Sequence, residues 1–262
     1  MSIQPLASIH PDARIGERVK IDPFVTIYGD VVIGDGCWIG SNVTIMDGAR
    51  IGKNCQIFPG AVISAVPQDL KYAGEKTTAE IGDNTVIREF VTINKGTKAL
   101  GKTVVGRECL LMAYVHVAHD CIIGDHCILA NGVTLAGHID VDDFAIIGGL
   151  SAVHQFVHIG SHVMISGGSL IRKDVPPYTK AAREPLSYVG INSVGLRRRG
   201  FANEKIMEIQ EIYRILYLKK YNHSKALTIL EMEISPSKER DEIISFIRSS
   251  SRGIMRGYNN ER

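Results

Sequence analysis

Residues 9–63 read IHPDARIGERVKIDPFVTIYGDVVIGDGCWIGSNVTIMDGARIGKNCQIFPGAVI, with isoleucine at every sixth position from Ile9 to Ile63. Six is neither the period of a helix nor that of a strand. Stepping by six from Ile3 to Ile171 meets Ile, Leu or Val at 26 of 29 positions, the exceptions being Asp69, Glu75 and Ala99. Each hexapeptide reads as one flat side plus one corner, too short to bury its aliphatic residue alone. The units must therefore stack, aliphatics inward, with successive coils paired as parallel strands. Glycine often follows the aliphatic, as at Gly16, Gly34, Gly52, Gly82 and Gly106, which suits a backbone bend there. With three hexapeptides to a triangular coil and roughly 4.8 Å per coil, about nine or ten coils make a prism on the order of 45 Å tall.

The prism is expected over residues 1–185, all β, and an α-helical C-terminal domain over 186–262. Two excursions leave the prism, at about 64–80 and 94–104, where AVPQDLKYAGEKTTAE and NKGTKALGKT interrupt the aliphatic frame. Loops on a rigid scaffold are where binding residues concentrate, although composition alone fits a tolerated insertion equally well. In the tail, Asn203 is placed as the N-cap of a helix over NEKIMEIQEIYRILYLKK, Ser224 starts a second, and Pro236 opens a third ending before Gly253. The paired prolines of KDVPPY are expected to stop the extended pattern after Ile171.

The 262 residues are 45% hydrophobic and 22% charged, the composition of a soluble protein with ample core. A net charge of +2, without a basic and aromatic stripe, argues against nucleic acid. The opening MSIQPLASIH has no signal-peptide character and no apolar run reaches membrane-spanning length, so a cytoplasmic location without stable membrane insertion is expected. Cys37, Cys55, Cys109, Cys121 and Cys127 each stand two residues before a repeat aliphatic, a position otherwise held by Ala, Val, Ser or Thr. They read as small packing residues in a reducing compartment, and no metal is expected.

Chemistry gathers where the 18-residue phase aligns polar residues. His119 and Asp120 follow Val117; one coil on come Gly137 and His138, then His154 and Gln155, then Arg172 and Lys173. A column of histidines, a carboxylate, an amide and two cations on one edge is an unusual corner. His116 either supports His119 or simply packs. His10 reads as structural, and His126, His158 and His162 as exposed corner residues. The basic run Arg197, Arg198 and Arg199 is either a solvated face or a phosphate site.

QDLKYAGE at 68–75, HVAHDCIIG at 116–124, CILANGVTLAGH at 127–138, VHQF at 153–156, DVPPY at 174–178 and GLRRRGF at 195–201 together resemble the acyl-carrier-protein-dependent UDP-N-acetylglucosamine O-acyltransferases that open lipid A biosynthesis. The resemblance covers nearly the whole chain and implies a left-handed parallel β-helix assembled as a homotrimer. It also implies no bound cofactor: the 3-hydroxyacyl donor arrives on the phosphopantetheine of acyl carrier protein, and the acceptor is the 3-position of the UDP-sugar. By position, His119 matches the general base, Asp120 its partner and the Gly137 N–H the oxyanion donor. Gln68, Asp69, Lys71, His138, His154 and Gln155 match sugar-nucleotide contacts, with His116 beside them, and Asn192 and Arg198 match groups near the nucleotide. Gly167 matches a small residue ending the acyl groove. The family commonly has His where this chain has Asn94, in TINKGT, so the acceptor stays open between the 3-hydroxyl sugar and a 3-amino analogue that would give an amide. The rivals are the later N-acyltransferase of the same pathway and, outside the transferases, a γ-type zinc carbonic anhydrase.

Overall fold

The computed structural model describes residues 2–3, 6–219 and 221–257; the expected domain ends at 1 and 262, and Lys220 at the end of the first expected tail helix, lie outside them. Among the described residues, short parallel strands stack into three sheets, the faces of a prism. The first face carries Lys20–Ile21 and Trp38–Ile39, the second Thr26–Ile27 and Thr44–Ile45, the third Val32–Ile33 and Ala49–Ile51. Partners lie one coil apart: Ile9 pairs with Ile27 and Ile21 with Ile39. Within the prism the aliphatic at every sixth position points inward, and Ile39, Ile45, Ile57, Ile63 and Ile147 are fully buried.

The second rung inside the prism is built by the residues two before each aliphatic, including Val19, Val43, Ala61 and all five cysteines, none of which is more than 2% exposed. The cysteine thiols are free, and those of Cys37, Cys109 and Cys121 each donate to a carbonyl of the next coil at 3.1 Å. They are packing residues, as their spacing suggested.

The bend is made elsewhere than glycine placement suggested. The residue with positive φ stands three positions after the aliphatic, not one: Arg18, Asn42, Asn54, Asn84, Asp120, His138 and Phe156 all do so, with φ between 53° and 63°. Glycine at the first position answers a different need, close approach between coils. A β-carbon on Gly34 would lie 2.6 Å from the Gly52 carbonyl carbon, and one on Gly82 2.5 Å from the Arg107 nitrogen.

Both excursions leave the same edge, from the second face to the third: one between Val62–Ala65 and Thr78–Ile81, the other between Thr92–Asn94 and Lys102–Val105. Across them Ile51 pairs with Ile81 and Ile81 with Val105, 30 and 24 positions on against 18 in an uninterrupted coil such as Ile27 to Ile45. The insertions are therefore 12 and 6 residues long, multiples of the repeat, which is why counting by six passes through them without losing frame.

The prolines of KDVPPY do not end the sheet. Val175 bridges to Ile159, Thr179–Ala182 pairs in parallel with Met164–Ile165, and Ser187–Ile191 then turns back antiparallel. The tail holds four helices among the described residues: α1 (Ser193–Arg198), α2 (Asn203–Leu218), α3 (His223–Glu233) and α4 (Lys238–Ser249). The starts of the last three differ from expectation by one or two residues. Ala202 precedes α2 without a side-chain cap, while Asn222 and Ser237 cap α3 and α4 by accepting from Lys225 N–H and Arg240 N–H. Pro236 lies just outside α4, and α1, too short to show a helical period, was not foreseen. Ile206, Ile209, Tyr213 and Leu216 bury the face of α2 in a second core, and the Tyr213 hydroxyl donates to the Pro177 carbonyl at 2.6 Å.

Candidate active site

The edge from the second to the third face carries the column. Val117, Leu135 and Val153 end second-face strands, and the residues after them turn the corner: His119 and Asp120, Gly137 and His138, then His154, Gln155 and Phe156. Coil stacking alone thus brings the histidines of separate hexapeptides into contact. His119 is 5% exposed and Asp120 2%. The His119 and His138 rings meet edge-on with centroids 5.1 Å apart, and Phe156 stacks on the far face of the column against His138 at 4.7 Å.

His119 Nδ1 lies 2.8 Å from Asp120 Oδ2. An ionised carboxylate only accepts, so a neutral imidazole keeps its proton on Nδ1 and bares the Nε2 lone pair. Nε2 faces Asp69 Oδ2 at 4.0 Å, brought over the corner by the first excursion. A β-carbon on Gly137 would sit 2.7 Å from Nε2, so glycine is what lets the ring lie against the next coil. Burial pushes the Asp120 carboxyl up in pKa, but the Thr97 hydroxyl, His119, the Thr97 N–H and the nearby His138 outweigh it and hold the carboxyl below its usual range.

Other expected site residues fall at the rim. Gln68 and Lys71 are exposed on the first excursion, and the Lys71 N–H donates to Asp69 Oδ1 at 2.9 Å, fixing that carboxylate. His154 and Gln155 are exposed; Arg252 of the tail donates toward His154 Nδ1 at 3.2 Å. His116 lies on the second face, bonded through Nδ1 to the Thr92 hydroxyl at 2.7 Å, and burial lowers its pKa. Its observed partner is Thr92 and not His119. Lys173 and Arg172, read as the end of the column, are engaged by other groups: Lys173 bonds the Arg252 carbonyl and Arg172 pairs with Glu184.

Three expected residues stand on other edges of the same chain. Gly167 lies between Met164–Ile165 and Leu170–Ile171, on the edge from first to second face. Its φ is not in the left-handed region, which Gly168 occupies instead. Asn192 caps α1 and donates to the His162 carbonyl at 2.9 Å, on the edge from third to first face; Arg198 is exposed at the end of α1. Arg199 stands over the Phe144 ring of that edge and donates to its carbonyl at 3.0 Å. The other histidines are not simply exposed corners. His158 sits on the third face, bonded to Asp142 at 3.0 Å, while His126 and His162 stack on either side of Phe144.

Asn94 is 2% exposed and donates to the Val66 carbonyl at 3.1 Å, tying the root of the second excursion to the first. Sequence reasoning passed over Thr97 and Arg252, both close partners of this edge. No spacing rule reaches an excursion or a tail that returns to the prism.

His119, Asp120 and His138 have ligand atoms within 4.8 Å of one another, the nearest approach to a metal site among the described residues. The donor set does not fit one. Asp120 Oδ1 already accepts from the Thr97 and Leu100 N–H groups, and Oδ2 from the Thr97 hydroxyl and His119, which leaves no free carboxylate lone pair aimed at a cation.

Comparison with known proteins agrees with this geometry. The family model for bacterial transferase hexapeptide repeats matches residues 30–65 and 102–137, and that for domain 2 of UDP-N-acetylglucosamine O-acyltransferase matches 174–255. The acyl-[acyl-carrier-protein]–UDP-N-acetylglucosamine O-acyltransferase of Thiobacillus denitrificans is 43% identical over 97% of this chain and 99% of its own. Solved UDP-N-acetylglucosamine acyltransferases superpose closely. That of Bacteroides fragilis has a TM-score of 0.96 at 56% identity, over 97% of this chain and all of its own. That of Arabidopsis has 0.86 at 36% identity, over 97% of this chain and all of its own. The fold is the left-handed parallel β-helix with an α-helical C-terminal part. With full-length identity of this order and the same architecture throughout, the chain belongs to the acyl-[acyl-carrier-protein]–UDP-N-acetylglucosamine O-acyltransferase family.

Proposed function

We propose that this protein moves a 3-hydroxyacyl chain from the phosphopantetheine thioester of acyl carrier protein to the 3-hydroxyl of UDP-N-acetylglucosamine, the opening step of lipid A biosynthesis, in the cytoplasm. The observation that carries the mechanism is the His119–Asp120 contact of 2.8 Å, which leaves Nε2 as a base in a nearly buried corner. The sugar hydroxyl gives its proton to Nε2 as its oxygen attacks the thioester carbonyl, and Asp120 stabilises the imidazolium that forms. The tetrahedral oxyanion accepts from the Gly137 N–H, which donates to no protein group among the described residues. Collapse breaks the carbon–sulfur bond, and the imidazolium returns its proton to the departing thiolate. The ester is favoured over the amide because the matched relatives are named O-acyltransferases.

Gln68, Asp69, Lys71, His138, His154 and Gln155 take the roles of sugar-nucleotide contacts, with His116 behind them. Gly167, Asn192 and Arg198 stand on other edges of the prism than His119. A site that uses all of them has to form between copies, which is the reason for proposing a homotrimer. The deciding experiment is mass spectrometry of product after incubation with 3-hydroxyacyl carrier proteins of several lengths and with either the 3-hydroxyl or the 3-amino UDP-sugar. An ester with the first and no turnover of the second is expected; preferential amide formation overturns the acceptor assignment.

A further inference from the structure

Like the half-buried His138 and the exposed Phe156 on the next coils, Asp120 occupies one of the corner positions with positive φ. It is instead almost fully buried, because the second excursion folds down over it. After Asn94 the chain leaves the prism, turns through Thr97–Gly101 and returns at Lys102. The Gly101 N–H donates to the Thr97 carbonyl at 2.7 Å, closing the turn, and Thr97 is 5% exposed. Its N–H donates to Asp120 Oδ1 at 2.9 Å and its hydroxyl to Oδ2 at 2.7 Å. The same hydroxyl oxygen accepts from the Ala99 N–H at 3.2 Å, which orients it. On the other side Thr103 accepts from the Asp120 N–H at 2.9 Å.

We infer that Thr97 is a positioning residue for the reaction: by binding both oxygens of Asp120 it fixes the plane of the carboxylate, so that the Oδ2 lone pair points at His119 Nδ1 and Nε2 is aimed into the site. This rests on the assignment of His119 as base and Asp120 as its partner. At Oδ1 the Leu100 N–H adds a second donor at 3.2 Å, but at Oδ2 the Thr97 hydroxyl is the one partner besides His119, so without it only the imidazole itself sets the angle of that oxygen. The donors also keep the buried carboxylate charged. The ionisable groups facing the pair are His119 itself, His138 with Nε2 3.8 Å from Asp120 Oδ2, and Asp69 across from His119. Thr97 has no role in binding substrate on this reading, and its loss should appear in the chemical step.

The test is steady-state kinetics of Thr97→Val and Thr97→Ser across pH, beside His119→Ala. Valine keeps the size and the N–H bond and removes only the hydroxyl. Losing one hydrogen bond to a charged group predicts a fall in kcat of about 10- to 100-fold, with KM for both substrates within about twofold. The acid limb of the kcat profile should move upward, because an Asp120 carboxylate stripped of a donor holds a proton more tightly. Thr97→Ser should recover most of kcat and the parent profile. If Thr97→Val does not fold, Thr97→Ala takes its place in the comparison with serine. Parent-like kcat without the hydroxyl, or a loss that serine does not restore, overturns the inference. Parent-like turnover in His119→Ala would instead overturn the base assignment, and this inference with it. Abolished turnover there beside parent-like Thr97→Val turnover sinks this inference alone.

Discussion

At Gly137 the absent side chain is as important as the residues around it. A β-carbon there would stand 2.6 Å from His119 Cε1, well inside contact distance, and the ring is the one neighbour able to move. Gly137→Ala is therefore expected to push the imidazole off Asp120. Displacement of a reacting group by about 1 Å can cost roughly 10²-fold in rate, so kcat should fall by about that factor while the melting temperature changes little. A variant with parent-like kcat would show that the ring has room the geometry denies it. For the proposed base, His119→Ala should lose about 10² to 10⁴ in turnover with fold intact, and a smaller effect in product assays would remove His119 from that role.

At the scale of the element, the repeating unit is a two-residue strand and a corner, and its stability comes from neighbours above and below. Ile39 and Ile147 are fully buried between coils, so Ile39→Asp or Ile147→Asp leaves an unpaired charge costing several kcal/mol or more. Loss of the cooperative melting transition is expected, and a parent-like melt would be incompatible with the inward frame. The corners form elements of their own. His126, Phe144, His162 and Tyr178 stack in sequence along the edge from third to first face, at 4.6, 4.8 and 5.5 Å. Burial, with Arg199 and Lys238 nearby, lowers the His162 pKa to about 4. Because the folded value lies below the ordinary one, the unfolded chain binds more protons between the two. Stability from this group is present above about pH 6.5 and lost as pH falls toward about 4. Melting curves of His162→Phe, which keeps a ring in the stack, should fall less steeply than the parent over that range; parallel curves would mean His162 titrates normally.

At the scale of the whole molecule, one chain distributes the expected site residues over three edges. Gly167 is the sharpest probe of how copies combine. Its φ lies outside the left-handed region, and a β-carbon would meet the Gly149 carbonyl oxygen at 3.0 Å, so a side chain there needs only a slight adjustment. If the acyl groove ends there, Gly167→Met removes room for terminal methylenes worth about 0.8 kcal/mol each. kcat/KM should then drop for long 3-hydroxyacyl donors and hold or rise for short ones. Equal loss with every donor would point to a disturbed coil, and unchanged selectivity would place the groove's end elsewhere.

What the sequence by itself determined is whatever repeats. The inward frame from Ile9 to Ile171, the packing role of the five cysteines and the alignment of His119 with Gly137 and of Asp120 with His138 all follow from a period that each coil must satisfy to stack. The motifs around those residues pointed to the family, and full-length relatives agree. Only the tertiary structure decided what lies outside the period. Thr97 reaches Asp120, Asn94 ties the two excursions, and Arg252 meets His154, because segments that leave the prism return to it over distances no repeat encodes. The bend likewise sits at the third residue after the aliphatic and not at the glycine, since glycine there relieves contact with the next coil, which exists only once the coils are stacked.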